Sequence, residues 1–159
     1  MKKSIILSIL CILTAFLIQP IKAQKLSPQQ KESTIKEVEA AFEVMLGYAE
    51  KLDYNKLSSG VDDTRKAGFI INNKYYPEYA SLITDLNVNK QGVSKQEITL
   101  KEKKTTVLSG KFVLMTVAGV SNAELIDGGT FSANFFWSFV YEKIDGSWKV
   151  IHSHQSIKQ

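Results

Sequence analysis

The 159-residue sequence is poor in cysteine, arginine and histidine, and each shortage excludes a kind of chemistry. Its single cysteine, Cys11, lies in an N-terminal apolar run, so the rest of the chain has no thiol for a disulfide, a nucleophile or a zinc–thiolate site. Arg65 is the only arginine. Lys2, Lys3 and Lys22 account for three of the 20 basic residues, which leaves 17 against 16 acidic residues. Without a basic excess, no nucleic-acid partner is predicted.

Common sequence motifs for cofactor and substrate chemistry are also missing. The chain contains no glycine-rich phosphate loop, no Gly-x-Ser-x-Gly nucleophile turn and no calcium loop. We therefore predict that the protein binds no cofactor.

The N-terminal apolar run is the one segment that could interact with a membrane. It extends over residues 5–18 after two lysines, Pro20 interrupts it, and Ala23 provides a small residue before Gln24. The run is too short to cross a bilayer, and its flanks are those of a secretory signal peptide. We predict a signal peptide over residues 1–23, a single domain over residues 24–159, no membrane association after cleavage, and a periplasmic or secreted protein.

The first half of this domain has the spacing of helices. Ser27, Pro28 and Gln30 form a capping box that predicts a helix start. The apolar residues that follow recur at steps of three and four and predict a helix of about seven turns: Ile35, Val38, Phe42, Met45, Ala49 and Leu52.

Three shorter elements are predicted after the long helix. Asp53 can cap a short helix through Leu57, and Pro77 can open a third helix. Between them, Asn72 and Asn73 tolerate the positive φ of a tight turn, which predicts a small hairpin.

The second half of the domain changes to long β-type runs. Four of them, QEITLKEKKTTVLS, KFVLMTVAGVSNAELI, TFSANFFWSFVYEKI and SWKVIHSHQSIK, are separated by turns at residues 109–110, 127–129 and 145–146. The simplest arrangement is an antiparallel meander. Helices followed by a sheet predict an α+β domain with the long helix packed on one sheet face.

The last run carries a family resemblance through Gly146, Trp148, His152, His154 and Ser156. With the order of helices and strands, this stretch resembles the nuclear-transport-factor-2-like superfamily, in particular its SnoaL-like branch, over essentially the whole domain. It is also similar to the association domain of calcium/calmodulin-dependent kinase. The resemblance implies a cone-shaped, cystatin-like fold, in which a strongly curved antiparallel sheet wraps around N-terminal helices and encloses a pocket, and it implies a homodimer.

This sequence departs from the kinase association domain on the penultimate strand. Phe139 stands where that domain tends to carry an arginine. The departure weakens the expectation of an anionic ligand held by this strand.

His152 and His154 are the candidate catalytic residues. Strict alternation along a strand would direct both to one face, together with Trp148 and Val150, and Ser153 and Gln155 to the other. Two imidazoles do not complete a metal site, so no metal is predicted. Acid–base catalysis by neutral imidazole and a purely structural role both remain open.

Aromatic residues supply the candidate ligand-binding positions. Phe135, Trp137 and Phe139 share one face of a strand that is also apolar on its other face, so both faces should be covered. We expect helices on one face and a second copy of the chain on the other. The same aromatic face could line a pocket for an apolar ligand, with Tyr75 and Tyr76 near its mouth.

The function predicted from these observations is the binding of a small, largely apolar molecule in a conical pocket. Two alternatives remain: an isomerase, cyclase or dehydratase that uses the histidines as acid and base, or a dimerisation module without catalysis. Similarity of fold does not decide among them.

Overall fold

The computed structural model of the protein describes residues 25–158, so the predicted signal peptide and its cleavage site lie outside the described residues. None of the helices in this part of the chain has the length and apolarity that a bilayer crossing requires. Two short 3-10 turns, Ser58–Gly60 and Lys90–Gly92, accompany three α-helices and six strands. These are α1 (Pro28–Glu50), α2 (Tyr54–Leu57), β1 (Phe69–Ile71), β2 (Lys74–Tyr76), α3 (Tyr79–Asn89), β3 (Val93–Val107), β4 (Phe112–Leu125), β5 (Thr130–Ile144) and β6 (Ser147–Lys158).

Helix α1 begins where the sequence predicts. The Ser27 hydroxyl accepts a hydrogen bond from the Gln30 amide at 3.2 Å, and the Gln30 side chain accepts one from the Ser27 amide at 2.8 Å, which confirms the capping box. The helix ends before Leu52, whose positive φ of 55° is incompatible with helix continuation. Val38 and Phe42 are buried, so the predicted apolar stripe faces the core.

The starts of α2 and α3 differ in detail from the prediction. Asp53 forms an ion pair with Lys56 at 2.5 Å and makes no side-chain capping hydrogen bond. Helix α3 begins at Tyr79 rather than at Pro77, because the carboxylate of Asp63 accepts a hydrogen bond from the Tyr79 amide at 3.0 Å. This cap comes from another part of the chain, so the local sequence did not reveal it.

The six strands form one curved, unclosed sheet in the order β2-β1-β6-β5-β4-β3. Strands β3 to β6 are an antiparallel meander, as predicted. Asn72 and Asn73 have positive φ values of 46° and 67° in the predicted hairpin of β1 and β2. Strand β1 pairs in parallel with β6, so the sheet is mixed rather than wholly antiparallel. The hairpin joins the edge that the meander leaves open at β6.

The fold class predicted from the sequence is confirmed: the domain is α+β, and its helices lie against the curved sheet. We call the sheet face that packs on α1 the inner face and the opposite one the outer face. The rings of Phe42 on α1 and Phe139 on β5 approach to 5.8 Å between centroids on the inner face. This contact lies within the main hydrophobic core.

A β-bulge in β6 changes which side chains face inward. Tyr141 pairs with Val150, whereas the preceding Val140 pairs with His152, which leaves Ile151 as the extra residue. Because an extra residue interrupts strict alternation, side chains beyond the bulge face opposite to where a regular strand would direct them.

Close packing between β4 and β5 depends on a glycine. Phe135 is fully buried on the inner face beside Gly119, its partner across the strand pair. A Cβ at residue 119 would overlap the carbonyl oxygen of Thr99 and lie 2.6 Å from the Phe135 ring. Only glycine therefore lets the three strands and this ring approach as closely as they do.

We predict that Gly119→Ala lowers the free energy of unfolding by about 1–3 kcal/mol, because the added methyl group overpacks the inner face. The matched control is Gly47→Ala in α1, where a Cβ would meet nothing within 4 Å. That change should stabilise the helix by roughly 0.5–1 kcal/mol. Urea denaturation of both variants measures the difference, and an unchanged midpoint for Gly119→Ala would contradict the packing described above.

Candidate functional site

A small cavity lies between α1 and the inner face of the sheet. Its volume is about 70 Å³. The lining combines aliphatic, aromatic and uncharged polar side chains: Phe42, Met45, Leu46, Ala49, Leu57, Val61, Tyr79, Trp137, Phe139, Tyr141, Val150, Ser153 and Gln155. No aspartate, glutamate, lysine, arginine or histidine of residues 25–158 is among them. Half-buried side chains such as Met45 and Gln155 form its rim, and fully buried ones form its floor.

Tyr141 is the most unusual residue of the floor. Its side chain is 0% exposed, and its hydroxyl has no hydrogen-bond partner within residues 25–158. Burial raises the pKa of the Tyr141 phenol well above its usual range, and the neighbouring Tyr79 adds to this effect. Burial also raises the pKa of Tyr79. Both phenols are therefore neutral at physiological pH, and an unpartnered buried hydroxyl requires an explanation.

Ser153 and Gln155 are the other polar groups of the lining. The β6 bulge turns both toward α1, and the Gln155 side-chain amide donates a hydrogen bond to the Ser153 hydroxyl at 3.2 Å. Strict alternation along the strand had predicted these two residues on the face opposite to Trp148 and Val150. No local signal in the sequence announced the bulge, so both cavity residues were missed.

The two histidines share one face of β6, as predicted, but their predicted grouping with Trp148 and Val150 is wrong because of the same bulge. His152 and His154 pair with Val140 and Ser138 and lie on the outer face, not beside Trp148. Nδ1 of the half-buried His152 lies 2.8 Å from the carbonyl oxygen of Gly68, a position from which the ring donates a hydrogen bond. Neither histidine lines the cavity. Their catalytic role stays a prediction, and it would have to operate on the outer face.

Two of the five predicted ligand-binding residues line the cavity, and three do not. Trp137 and Phe139 line the cavity. Phe135 stacks on Trp137, with ring centroids 3.9 Å apart, and so supports the wall from behind. Tyr75 and Tyr76 lie on the edge strand β2 and do not line the cavity.

The two tyrosines of β2 have different local surroundings. Tyr75 is 59% exposed and covers Gly68. Tyr76 is buried, and its hydroxyl donates to Asp85 at 2.8 Å. Tyr76 therefore has a structural partner, unlike Tyr141.

The outer face carries a second depression, a shallow groove of about 780 Å³. Directly paired residues of four strands, Lys104, Thr116, Ser138 and His154, form a row across it. Phe136, in the next row, is 55% exposed. Within residues 25–158, no cluster of three or more histidine, cysteine, aspartate or glutamate side chains could hold a metal ion.

The architecture of helices and sheet matches that of known structures. A nuclear transport factor 2-like superfamily protein from Salmonella enterica aligns with a TM-score of 0.71 at 18% identity, over 81% of this chain and 94% of its own. The chain has the nuclear transport factor 2-like fold.

Two further structures share this fold and carry different functional names. A scytalone dehydratase-like protein from Novosphingobium aromaticivorans aligns with a TM-score of 0.75 at 7% identity, over 84% of this chain and 89% of its own. A calcium/calmodulin-dependent protein kinase II association domain-like protein from Xanthomonas campestris aligns with a TM-score of 0.67 at 15% identity. The alignment covers 88% of this chain and 97% of that protein. No family model matches the sequence, and a search of curated proteins gave no match. At these identities the likeness establishes the fold alone.

Because two phenols are buried, we expect the free energy of unfolding to decrease at alkaline pH. The raised pKa of Tyr141 in the folded state means that the unfolded chain releases this proton first, so stability falls as the pH rises above about 10, the ordinary pKa of tyrosine. We expect a shallower fall in Tyr141→Phe. Urea denaturation between about pH 8 and pH 11 measures it. The exposed Tyr75→Phe serves as control, and equal slopes in both variants would contradict the burial of Tyr141.

Proposed function

We propose that the protein is exported to the periplasm or the cell exterior and binds a small, largely apolar molecule in the cavity between α1 and the sheet. The observation that carries this proposal is the composition of the lining, which is apolar apart from a few uncharged polar groups. Ligand pockets typically combine an apolar wall with a small number of placed polar groups. An ionic ligand would find no counter-charge among these lining residues and would lose its hydration.

The size of the cavity limits the ligand. Pockets for drug-sized molecules have volumes of about 300–1,000 Å³, and an engineered apolar cavity of about 150 Å³ binds benzene. A cavity of about 70 Å³ accommodates a molecule of only a few heavy atoms unless its rim opens. Met45 and Gln155 are half-buried rim residues with flexible side chains, so a modest change of rotamer would admit a larger ring.

Binding without catalysis is favoured over an enzyme of the dehydratase or isomerase kind. The similarity to a scytalone dehydratase-like protein is a likeness of fold. General acid–base catalysis needs a group that exchanges protons near neutral pH, and this lining offers only two phenols whose pKa is raised by burial. Such phenols are hydrogen-bond donors rather than bases.

Native mass spectrometry of the chain, purified from an exporting host without added metal, tests the proposal directly. We expect a stoichiometric organic adduct, and a protein mass that begins at Gln24 if cleavage follows Ala23. A mass that retains the N-terminal segment would contradict export with cleavage.

A cavity-filling variant separates binding in the cavity from binding elsewhere. Ala49 lines the cavity, whereas Ala40, on the same helix, is exposed. We predict that Ala49→Leu removes the adduct, because its added carbon atoms occupy the volume that the ligand would take, and that Ala40→Leu retains it. Native mass spectrometry of both variants provides the comparison. An adduct of equal occupancy in both would contradict a ligand in this cavity.

We also infer that two copies of the chain associate through their outer faces. The exposed Phe136 stands beside a groove floored by the small side chains of Thr116 and Ser138, so a two-fold axis would allow each phenylalanine to enter the groove of the other copy. Glu102 and Lys104 lie on this face and form no ion pair within residues 25–158. The same axis would bring these opposite charges together.

Substitution of the exposed phenylalanine tests this association. We predict that Phe136→Lys shifts the protein from dimer to monomer in analytical ultracentrifugation, because it buries an unpaired charge at the contact. Val44→Lys is the control, since Val44 is similarly exposed but lies on α1. A wild-type protein that sediments as a monomer at high concentration would refute the dimer.

A further inference from the structure

Met45 lies at the rim of the cavity, against the 3-10 turn Ser58–Gly60. Its half-buried side chain lines the cavity from α1. Leu57 and Val61, which flank the turn on either side, also line the cavity. The thioether of Met45 therefore bridges the helix and the turn at this part of the rim.

Gly60 is the residue on which this thioether lies. A Cβ at residue 60 would be 2.6 Å from Sδ, 2.8 Å from Cγ and 3.3 Å from Cε of Met45. Two of these distances are too short for any real Cβ contact. A side chain at residue 60 and the present position of Met45 therefore exclude each other.

The backbone at residue 60 does not itself require glycine. Gly60 ends a 3-10 turn and has no positive φ, unlike Gly68 and Gly128. Residues that carry a Cβ adopt such a conformation readily. The space that Met45 occupies is therefore the structural reason for a glycine here, and the contact fixes one position of an otherwise flexible side chain.

We propose that Gly60 positions Met45 as the gate of the cavity, so that this pair sets the size of the apolar molecule that binds. With the thioether on Gly60, the cavity of about 70 Å³ admits a molecule of a few heavy atoms. An engineered apolar cavity that binds benzene has about 150 Å³, so a six-membered ring enters here only when the thioether moves away from the turn. The assignment rests on the proposed function and adds the residues that determine ligand size.

The substitution Gly60→Ala should move the gate without unfolding the domain. The atoms that the added methyl group would meet are the far end of a flexible side chain, which can rotate away. The cavity is the empty volume that Met45 lines, and an apolar side chain gains free energy by filling it rather than by entering water. We therefore expect the end of Met45 to occupy the cavity in this variant.

Xenon and benzene are uncharged apolar probes of different size. Nuclear magnetic resonance of the Leu57 and Val61 methyl groups, during titration of each probe into the protein, yields both affinities. We expect the wild-type protein to bind xenon, and Gly60→Ala to bind it about tenfold more weakly or less, because the probe would have to displace the buried thioether. Met45→Ala removes the gate and should raise the benzene affinity by a similar factor.

The double variant Gly60→Ala/Met45→Ala separates a positioning role from a general disturbance of the turn. Without the thioether, the added methyl group has nothing to displace, so the double variant should bind both probes as Met45→Ala does. Gly92→Ala is the matched control, because Gly92 also ends a 3-10 turn and a Cβ there would meet nothing within 4 Å. It should retain the wild-type affinities, and urea denaturation checks that every variant is folded.

Two results would overturn the gate and leave the cavity a binding site. One is an unchanged or higher xenon affinity in Gly60→Ala, since Gly60 would then not determine where Met45 lies. The other is an equal loss of xenon affinity with and without the Met45 thioether, since residue 60 would then act through the backbone. A wild-type protein that binds neither probe would instead refute binding in this cavity, and the proposed function would fail together with the gate.

Discussion

The packing of helix α1 across the inner face of the sheet is the interaction on which the rest of the structure depends. Neither layer could bury its apolar face alone. Polar contacts fix the helix at both sides of the sheet: Trp148 on β6 donates to Glu37 at 2.9 Å, and Thr105 on β3 donates to Glu39 at 2.8 Å. Because the helix is held at two distant strands of a curved sheet, the space between these supports is not completely filled. The cavity is this remaining space.

The charged groups of the domain surround this space without entering it. Lys143 pairs with Glu37 near the middle of α1, and Arg65 forms a bidentate pair with the buried Glu142 on β5. Each of these carboxylates has its pKa lowered by its basic partner. These charges therefore stabilise one another outside the cavity, whose lining within residues 25–158 is uncharged.

The sequence predicted the elements well and the candidate site only in part. The elements that were predicted correctly depend on interactions between residues close in sequence. These are the helical periodicity of α1, its Ser27 cap, and the turn formed by Asn72 and Asn73. The cap of α3 by Asp63 depends on contacts between distant segments, which no local pattern contains. The apolar character of β5 indicated that Trp137 is covered by other elements, and Trp137 does line the cavity. The same kind of pattern could not identify Ser153, because Ser153 faces inward only through the bulge in β6.

The bulge at Ile151 decides which side chains of the last strand line the cavity. The downstream half of β6 carries two alternating sets of side chains, hydroxyl and amide on one side and imidazole on the other, and the position of a single unpaired residue selects which set lines the cavity. If the extra residue lay a few positions later in β6, His152 and His154 would line the cavity in place of Ser153 and Gln155, without any substitution in β5 or in the helices. The chemistry of the cavity is thus a property of strand register as much as of composition, and two chains with identical last strands could differ in the reactions open to them.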